Sequence, residues 1–115
     1  MNLHGKAKSL TIYIGSHDQL NGTPLYHAIV ERARSLGLAG ATVVEGIEGY
    51  GAASRIHRAG LLDLSIDLPI VIEIIDTEEK IDQHLAELTE LVKGGIITLR
   101  DCEIIHYLPG PKREL

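Results

Sequence analysis

The stretch LPIVIEIID, residues 68–76, decides the fold of this chain. Its apolar residues occupy both alternating sets of positions, with Ile70, Ile72 and Ile74 on one side and Val71 and Ile75 on the other. This two-residue period predicts a β-strand that is apolar on both faces and interrupted only by Glu73. Pro69 fits such a strand at its first positions or on a sheet edge. Both faces of this strand therefore need cover.

The residues before this strand predict two more strands and a helix. Residues 8–15 alternate apolar and polar side chains as a half-buried strand does, and residues 41–50 form a second strand whose internal glycines indicate a bulge or a close backbone approach. Between them we expect a helix with Thr23 as its N-cap and Pro24 at its first position. This helix ends near Leu36, before Gly37.

The residues after it predict a second helix and a last strand. The helix begins near Asp76 or Thr77, with Glu79 placed for a capping box if Asp76 is the cap. It runs through residue 92 and is closed by a glycine pair. Residues 96–108 then supply a fourth strand in one or two pieces, and a flexible tail is expected from about residue 109.

The order βαββαβ predicts a ferredoxin-like α+β fold, the split βαβ arrangement of a four-stranded antiparallel sheet with two helices on one face. At 115 residues, we expect one domain spanning 1–115. The helices leave the second sheet face uncovered, so the pattern also predicts a homo-oligomer that covers it.

Composition excludes several classes of protein. The net charge of −5 argues against a nucleic-acid-binding protein, which needs clustered cations. No secretory signal and no membrane-spanning apolar run is evident, so we expect a soluble, cytoplasmic protein without membrane insertion. The chain has no Phe or Trp, so the core must be aliphatic. A lone cysteine, Cys102, agrees with a reducing compartment and is interpreted as a small buried residue.

Five segments carry a resemblance to a known family. They are LTIYIG (10–15), PLYHAIVERARSLGLAGATVVEGIEGYG (24–51), LSIDLPIVIEIID (64–76), EKIDQHL and the closing GGIITLRDCEIIHY. In this order they resemble the family called domain of unknown function 190, a branch of the PII-like superfamily. The resemblance implies a homotrimer of ferredoxin-like subunits whose sheets face inward, with ligand clefts between neighbours.

The resemblance also implies a function. In nitrogen-regulatory PII proteins, adenine nucleotides in these clefts reorder a long loop, which then docks on a target that is often a membrane transporter. The corresponding loop here spans 51–67, and the cleft is lined by the glycines of the second strand and by Lys93, Gly94 and Gly95. The branch also resembles proteins associated with bacterial fluoride channels, which makes a channel a candidate partner. The tyrosine-tipped loop and the Lys and Arg pattern of nitrogen-regulatory PII proteins are absent, so nucleotide binding is implied at the superfamily level.

The loop itself carries the strongest local charge signal. Residues 51–62 contain no acidic residue in an acidic chain, and their basic side chains are Arg55, His57 and Arg58. Guanidinium groups bind phosphate or carboxylate with two parallel hydrogen bonds, and Gly49 and Gly51 let backbone N–H groups approach an anion. The alternative is a solvated loop whose arginines make weak surface ion pairs.

Other candidate sites are weaker. Gly94 and Gly95 form either an anion-binding turn or simply a helix C-cap. The six histidines show no metal-ligand spacing, so no metal site is expected, and His106 is interpreted as a core or interface histidine. Ser54, His57 and Asp63 lack the strained turn of a catalytic serine, and no catalytic residue is expected. The glutamates on predicted strands, Glu45, Glu48 and Glu73, are expected to be exposed.

We therefore expect a PII-like signal-transduction protein, not an enzyme. It would bind a small anionic ligand, most simply an adenine nucleotide and not a resident cofactor, near Gly49, Gly51, Arg55 and Arg58. The 51–67 loop would regulate a transporter or channel. Two alternatives stay open: a ligand-independent adaptor or regulatory subunit that uses the same loop, and a small enzyme with an intersubunit active site.

Overall fold

Four strands and two helices alternate in the predicted order. The computed structural model describes residues 4–51 and 67–110 and, of residues 57 and 58, the backbone alone. Its main elements are β1 (Gly5–Gly15), α1 (Leu25–Ser35), β2 (Gly40–Glu45), β3 (Pro69–Thr77), α2 (Glu78–Glu90) and β4 (Ile96–Ile104). The sheet order is β2-β3-β1-β4, and all neighbouring strands are antiparallel. The ferredoxin-like α+β prediction is confirmed.

The core lies between the two helices and one face of the sheet. Ile12 of β1 faces Ile72 of β3 across the central strand pair, and both side chains are fully buried. The helices contribute one apolar stripe each, at Leu25, Ile29 and Ala33 on α1 and at Ile81 and Leu88 on α2. The buried hydrophobic residues are all Ile, Leu or Ala, which confirms the aliphatic core.

The predicted start of α1 is wrong by one residue. Thr23 is paired with Leu20 in a two-residue ladder, so Pro24 is the N-cap residue, without a side-chain cap, and the helix begins at Leu25. The Leu25 N–H donates instead to the Asp18 carbonyl at 2.7 Å. The predicted stop is confirmed, since Gly37 has φ of 77° directly after the C-cap.

The sequence predicts that α2 begins near Asp76 or Thr77, and the structure selects Thr77. Thr77 is the N-cap, and its side chain accepts a hydrogen bond from the Lys80 N–H at 3.3 Å. Asp76 does not cap the helix, because its carboxylate binds other backbone groups. It is fully buried in β3 and accepts hydrogen bonds from the N–H of Thr77 at 2.5 Å and from the N–H of Ala39 at 2.9 Å. Glu79 therefore stands outside any capping box.

The glycine pair does not end α2. The helix ends at Glu90, and the N–H groups of Leu91 and Val92 close the last turn on carbonyls of Leu88 and Thr89. Gly94 and Gly95 lie beyond this turn, so the C-cap interpretation is wrong. After them β4 runs to Ile104 without a break, and residues 105–110 lie outside the sheet.

The ends of β2 and two side chains need further corrections. β2 stops at Glu45. Next to its end, the Gly46 N–H donates to the Pro69 carbonyl at 2.7 Å, and this contact is the predicted close backbone approach. Pro69 is the first residue of β3, as predicted. Cys102, expected to be buried, is exposed on edge strand β4. His106 is exposed outside the sheet, so its core interpretation is wrong, whereas its interface interpretation stays a prediction. Neither helix of the described residues is long and apolar enough to cross a membrane.

Replacing Asp76 by Ala should destabilise the fold, because two backbone N–H groups on separate segments lose a buried acceptor. We expect a loss of about 2–4 kcal/mol in the free energy of unfolding, measured by urea denaturation. The Lys80 ammonium, 3.9 Å from this carboxylate, would also lose its counter-charge.

Asp82→Ala is the matched control. Asp82 accepts a hydrogen bond from Lys8 at 2.7 Å and thereby raises the pKa of that ammonium group, but the Asp82 side chain is half exposed. Its loss should cost less than about 1 kcal/mol. Equal costs for the two variants would contradict the role assigned to Asp76.

Candidate functional site

A cavity of about 530 Å³ lies at the end of the sheet where β1 ends and where β3 and β4 begin. We call it the sheet-end cavity. Its walls come from four segments: the end of β1 with the following loop, residues 50–51, residues 67–69, and the turn between α2 and β4. The lining residues are Tyr13, Ile14, Gly15, Asp18, Gln19, Leu20, Leu25, Tyr50, Gly51, Asp67, Leu68, Pro69, Leu91, Lys93, Gly94, Gly95 and Ile96.

The loop after β1 is held by hydrogen bonds to the start of β3. The Ser16 N–H donates to the Leu68 carbonyl at 2.8 Å, and the Leu68 N–H donates to the Ser16 hydroxyl at 3.0 Å. Within the loop, the Gly15 N–H donates to the Asp18 carboxylate at 3.0 Å. One wall of the cavity is thus a hydrogen-bonded turn.

Asp67 ties the same two segments together from the other side. Its carboxylate accepts from the His17 N–H at 2.9 Å and from the Ser16 hydroxyl at 3.3 Å. Gly15 allows this contact, since a Cβ there would lie 2.6 Å from both carboxylate oxygens. The carboxylates of Asp18 and Asp67 therefore both serve the loop that forms the cavity wall.

The turn between α2 and β4 supplies the opposite wall. Gly95 has φ of 137°, and a Cβ at this position would overlap the backbone carbonyl oxygen of Tyr13. Glycine at 95 is therefore required where β4 enters the sheet beside β1. A Cβ at Gly94 would meet nothing within 4 Å, so this position faces open space. The two glycines differ in role although they are adjacent.

The chemistry of the walls is mainly apolar. The lining contains the aliphatic side chains of Ile14, Leu20, Leu25, Leu68, Leu91 and Ile96 and two exposed tyrosines, Tyr13 and Tyr50. The acidic and basic side chains in the lining are Asp18, Asp67 and Lys93. Such walls suit a flat, largely uncharged group with a few hydrogen-bonding edges. They do not by themselves neutralise several phosphates.

The structure brings together only some of the predicted site residues. Gly51, Gly94 and Gly95 all line the sheet-end cavity. Gly49 does not: its backbone pairs with His57, and a Cβ there would lie 3.1 Å from the Pro69 ring. Arg55 lies outside the described residues.

The backbone of His57 and Arg58 forms a two-residue ladder with Glu48 and Gly49, next to the Tyr50 and Gly51 rim. The loop root therefore leads directly into the cavity mouth.

Asp18, Asp67 and Tyr13 line the cavity but were not among the predicted site residues. Asp18 lies three residues after the glycine that ends β1, a polar loop position that could have flagged it. Asp67 offers no such local signal, because only the pairing of β1 with β3 brings it to the loop. Within the described part of the chain, no group of three or more His, Cys, Asp or Glu side chains could hold a metal ion.

Comparison with known proteins identifies the family. The model of DUF190, described as an uncharacterized ACR, matches residues 7–104. A UPF0166 protein of Aquifex aeolicus is 43% identical over 104 residues, which cover 88% of this chain and 95% of the relative. The chain belongs to the DUF190 family.

Several solved structures that resemble this DUF190 chain are PII-like proteins. CPII of Thiomonas intermedia K12, bound to ADP and bicarbonate, superposes with a TM-score of 0.64 at 18% identity, covering 88% of this chain and 90% of CPII. A putative PII-like signaling protein of Thermus thermophilus gives 0.61 at 24% identity, covering 91% and 94%. The DUF190 chain therefore has the PII-like form of the ferredoxin-like fold.

The two glycines of the cavity wall make a matched pair of variants. Gly95→Ala should lower the free energy of unfolding by more than about 2 kcal/mol, because the β1 or β4 backbone must shift to admit a Cβ. Gly94→Ala should change it by less than about 0.5 kcal/mol. Urea unfolding measures both. If Gly95→Ala were as stable as Gly94→Ala, the close approach to Tyr13 would be wrong.

Proposed function

We propose that this DUF190 chain is a PII-like signal-transduction protein that binds an adenine nucleotide and regulates a partner protein. The nucleotide occupies the sheet-end cavity, which becomes an intersubunit cleft in a homotrimer. The 51–67 loop responds to the ligand and contacts a membrane transporter or ion channel. The single observation that carries this proposal is the sheet-end cavity, into which Gly51, Gly94 and Gly95 converge.

The size and walls of the cavity favour a nucleoside. Its volume of about 530 Å³ lies within the usual range of small-molecule sites, about 300–1,000 Å³. Leu20, Leu25 and Ile96 offer apolar surface for the faces of a base, and Tyr13 can stack on it. The carboxylates at the loop wall accept hydrogen bonds, which suits the amino group of adenine or the hydroxyls of ribose.

The charges favour placing the phosphates at the cavity mouth. Asp18 and Asp67 repel anions from the loop wall, whereas Lys93 and the exposed N–H groups of the glycine turn attract them. The loop that begins at Gly51 carries Arg55 and Arg58, whose guanidinium groups match phosphate oxygens. We therefore assign the base to the interior and the phosphates to the mouth.

The comparison with CPII supports the ligand class. CPII, which shares the fold across most of this chain, is bound to ADP and bicarbonate in its solved structure. This likeness in fold, at 18% identity, is the reason for proposing an adenine nucleotide as the ligand of this chain. ADP is therefore the first ligand to test.

A ligand-independent adaptor is the second candidate function. Ile47 and Tyr50, at the root of the 51–67 loop, are 79% and 73% exposed, and such apolar side chains are suited to docking on another protein. They are available without any ligand. The adaptor and the sensor differ in one respect only, namely whether partner binding depends on the nucleotide.

ADP should stabilise the wild-type protein in a thermal shift assay. Saturation at 100 times Kd adds about 2.7 kcal/mol to the stability of the folded state. The double variant Arg55→Ala/Arg58→Ala should weaken ADP binding by about tenfold or more, measured by calorimetry, because charge-assisted hydrogen bonds to phosphate are lost.

Lys6→Ala/Arg34→Ala is the matched control. It removes the same number of positive charges, both from exposed positions that do not line the cavity. Its affinity for ADP should stay within about twofold of the wild type. Unchanged ADP affinity in the Arg55 and Arg58 variant would show that the phosphates are bound elsewhere, and no binding of ADP or another adenine nucleotide would favour the adaptor.

A further inference from the structure

In the described residues both helices lie on one face of the sheet, and no helix covers the other face. We call it the open face. The strand registers assign to it Ala7, Ser9, Thr11 and Tyr13 of β1, Val71, Glu73 and Ile75 of β3, Gly40, Thr42 and Val44 of β2, and Ile96, Thr98, Arg100 and Cys102 of β4. The Ser9 hydroxyl donates to the Glu73 carboxylate at 3.0 Å, which confirms that these side chains share one side.

The open face is neutral except for one acid and one base. Among the described sheet positions on it, only Glu73 and Arg100 are charged. They lie on opposite sides of β1, since Glu73 pairs with Thr11 and Arg100 pairs with Ser9. Both are exposed and line the same shallow depression, yet no ion pair joins them.

The Arg100 guanidinium has no partner in the described chain. It makes no hydrogen bond and no ion pair with any side chain or backbone group in 4–51 or 67–110. The Glu73 carboxylate accepts only from Ser9, which leaves most of its acceptor capacity unused. A partner surface that carries one acidic and one basic side chain therefore complements both Arg100 and Glu73.

We propose that, where the open faces of two copies meet in the proposed homotrimer, Arg100 of one copy pairs with Glu73 of the other. This inference rests on the proposed homotrimer and names the contact that would specify it. Burial of a single unpaired charge is costly, so a partner surface of one charge sign would leave either Arg100 or Glu73 uncompensated. A second copy supplies one acid and one base.

The surroundings of the pair fit contact between copies. Apolar side chains of the face that do not line the sheet-end cavity include Val44, which is 53% exposed, and Val71 and Ile75, which are partly exposed. Ser9 and Thr11 in the middle have short side chains, each only 8% exposed, that allow a second sheet to approach closely. Apolar contact then supplies affinity, and the charge pair sets orientation and excludes other partners.

Charge reversal tests the pairing directly. Arg100→Glu and Glu73→Arg should each dissociate the oligomer of the full chain, seen as a loss of molar mass by light scattering after size-exclusion chromatography. The double variant Glu73→Arg/Arg100→Glu restores opposite charges across the contact. It should assemble at a concentration about tenfold or more below that required by either single variant.

Two sets of control variants separate the loss of the Arg100–Glu73 contact from a general effect of changed charge. Arg34→Glu and Glu31→Arg reverse charges on exposed positions of α1 and should leave the molar mass unchanged. The neutral variants Arg100→Gln and Glu73→Gln remove the attraction without adding repulsion, and should weaken assembly less than the reversals do. Circular dichroism confirms that each dissociated variant keeps its secondary structure.

Two results would overturn the proposal. If either reversal leaves the mass of the oligomer unchanged, or if the folded double variant stays dissociated, Arg100 and Glu73 do not meet between copies. A reversal that lowers the melting temperature without affecting assembly would indicate a pairing within one chain instead. With ADP binding to the wild-type oligomer intact, these results refute the contact alone, whereas a monomeric wild type refutes the proposed trimer as well.

Discussion

The antiparallel pairing of β1 with β3 is the interaction on which the other features depend. It pairs Ile12 with Ile72 and the adjacent Thr11 with Glu73. Because side chains alternate along a strand, this register sends the isoleucines toward the helices and the threonine and glutamate toward the open face. A slip of one residue would exchange the two faces and expose the core. The aliphatic core and the open face are therefore two consequences of one register.

The same pairing builds the sheet-end cavity. Where β1 meets the start of β3, Gly15 faces Pro69, and the loop after β1 is fastened by Ser16 and Asp67. On the other side of β1, Gly95 lets β4 begin against the Tyr13 carbonyl. The cavity thus forms where the end of β1 meets the starts of β3 and β4 at one end of the sheet, with glycine where backbones approach most closely.

Sequence periodicity was sufficient for the fold and insufficient for the contacts. Strand and helix patterns depend on side chains two, three or four positions apart, and these patterns predicted every main element. Local capping rules misplaced the start of α1 by one residue, because Thr23 pairs with Leu20, and did not decide between Asp76 and Thr77 at the start of α2, because Asp76 bonds to Ala39, which lies 37 positions away. For the same reason the sequence revealed Gly51, Gly94 and Gly95 but not Asp67, whose place in the site is set by strand pairing. Cys102 was misjudged because β4 is an edge strand.

We propose that the apolar sheet-end cavity, the basic residues of the 51–67 sequence and the open sheet face together make a nucleotide sensor assembled from several copies. The most direct test of this proposal is a crystal structure of the wild-type protein grown with ADP. The account predicts the adenine in the sheet-end cavity near Gly94 and Gly95, the phosphates at its mouth, and a second copy completing the cleft. ADP bound elsewhere, or a cavity that stays empty at saturating ADP, would contradict it.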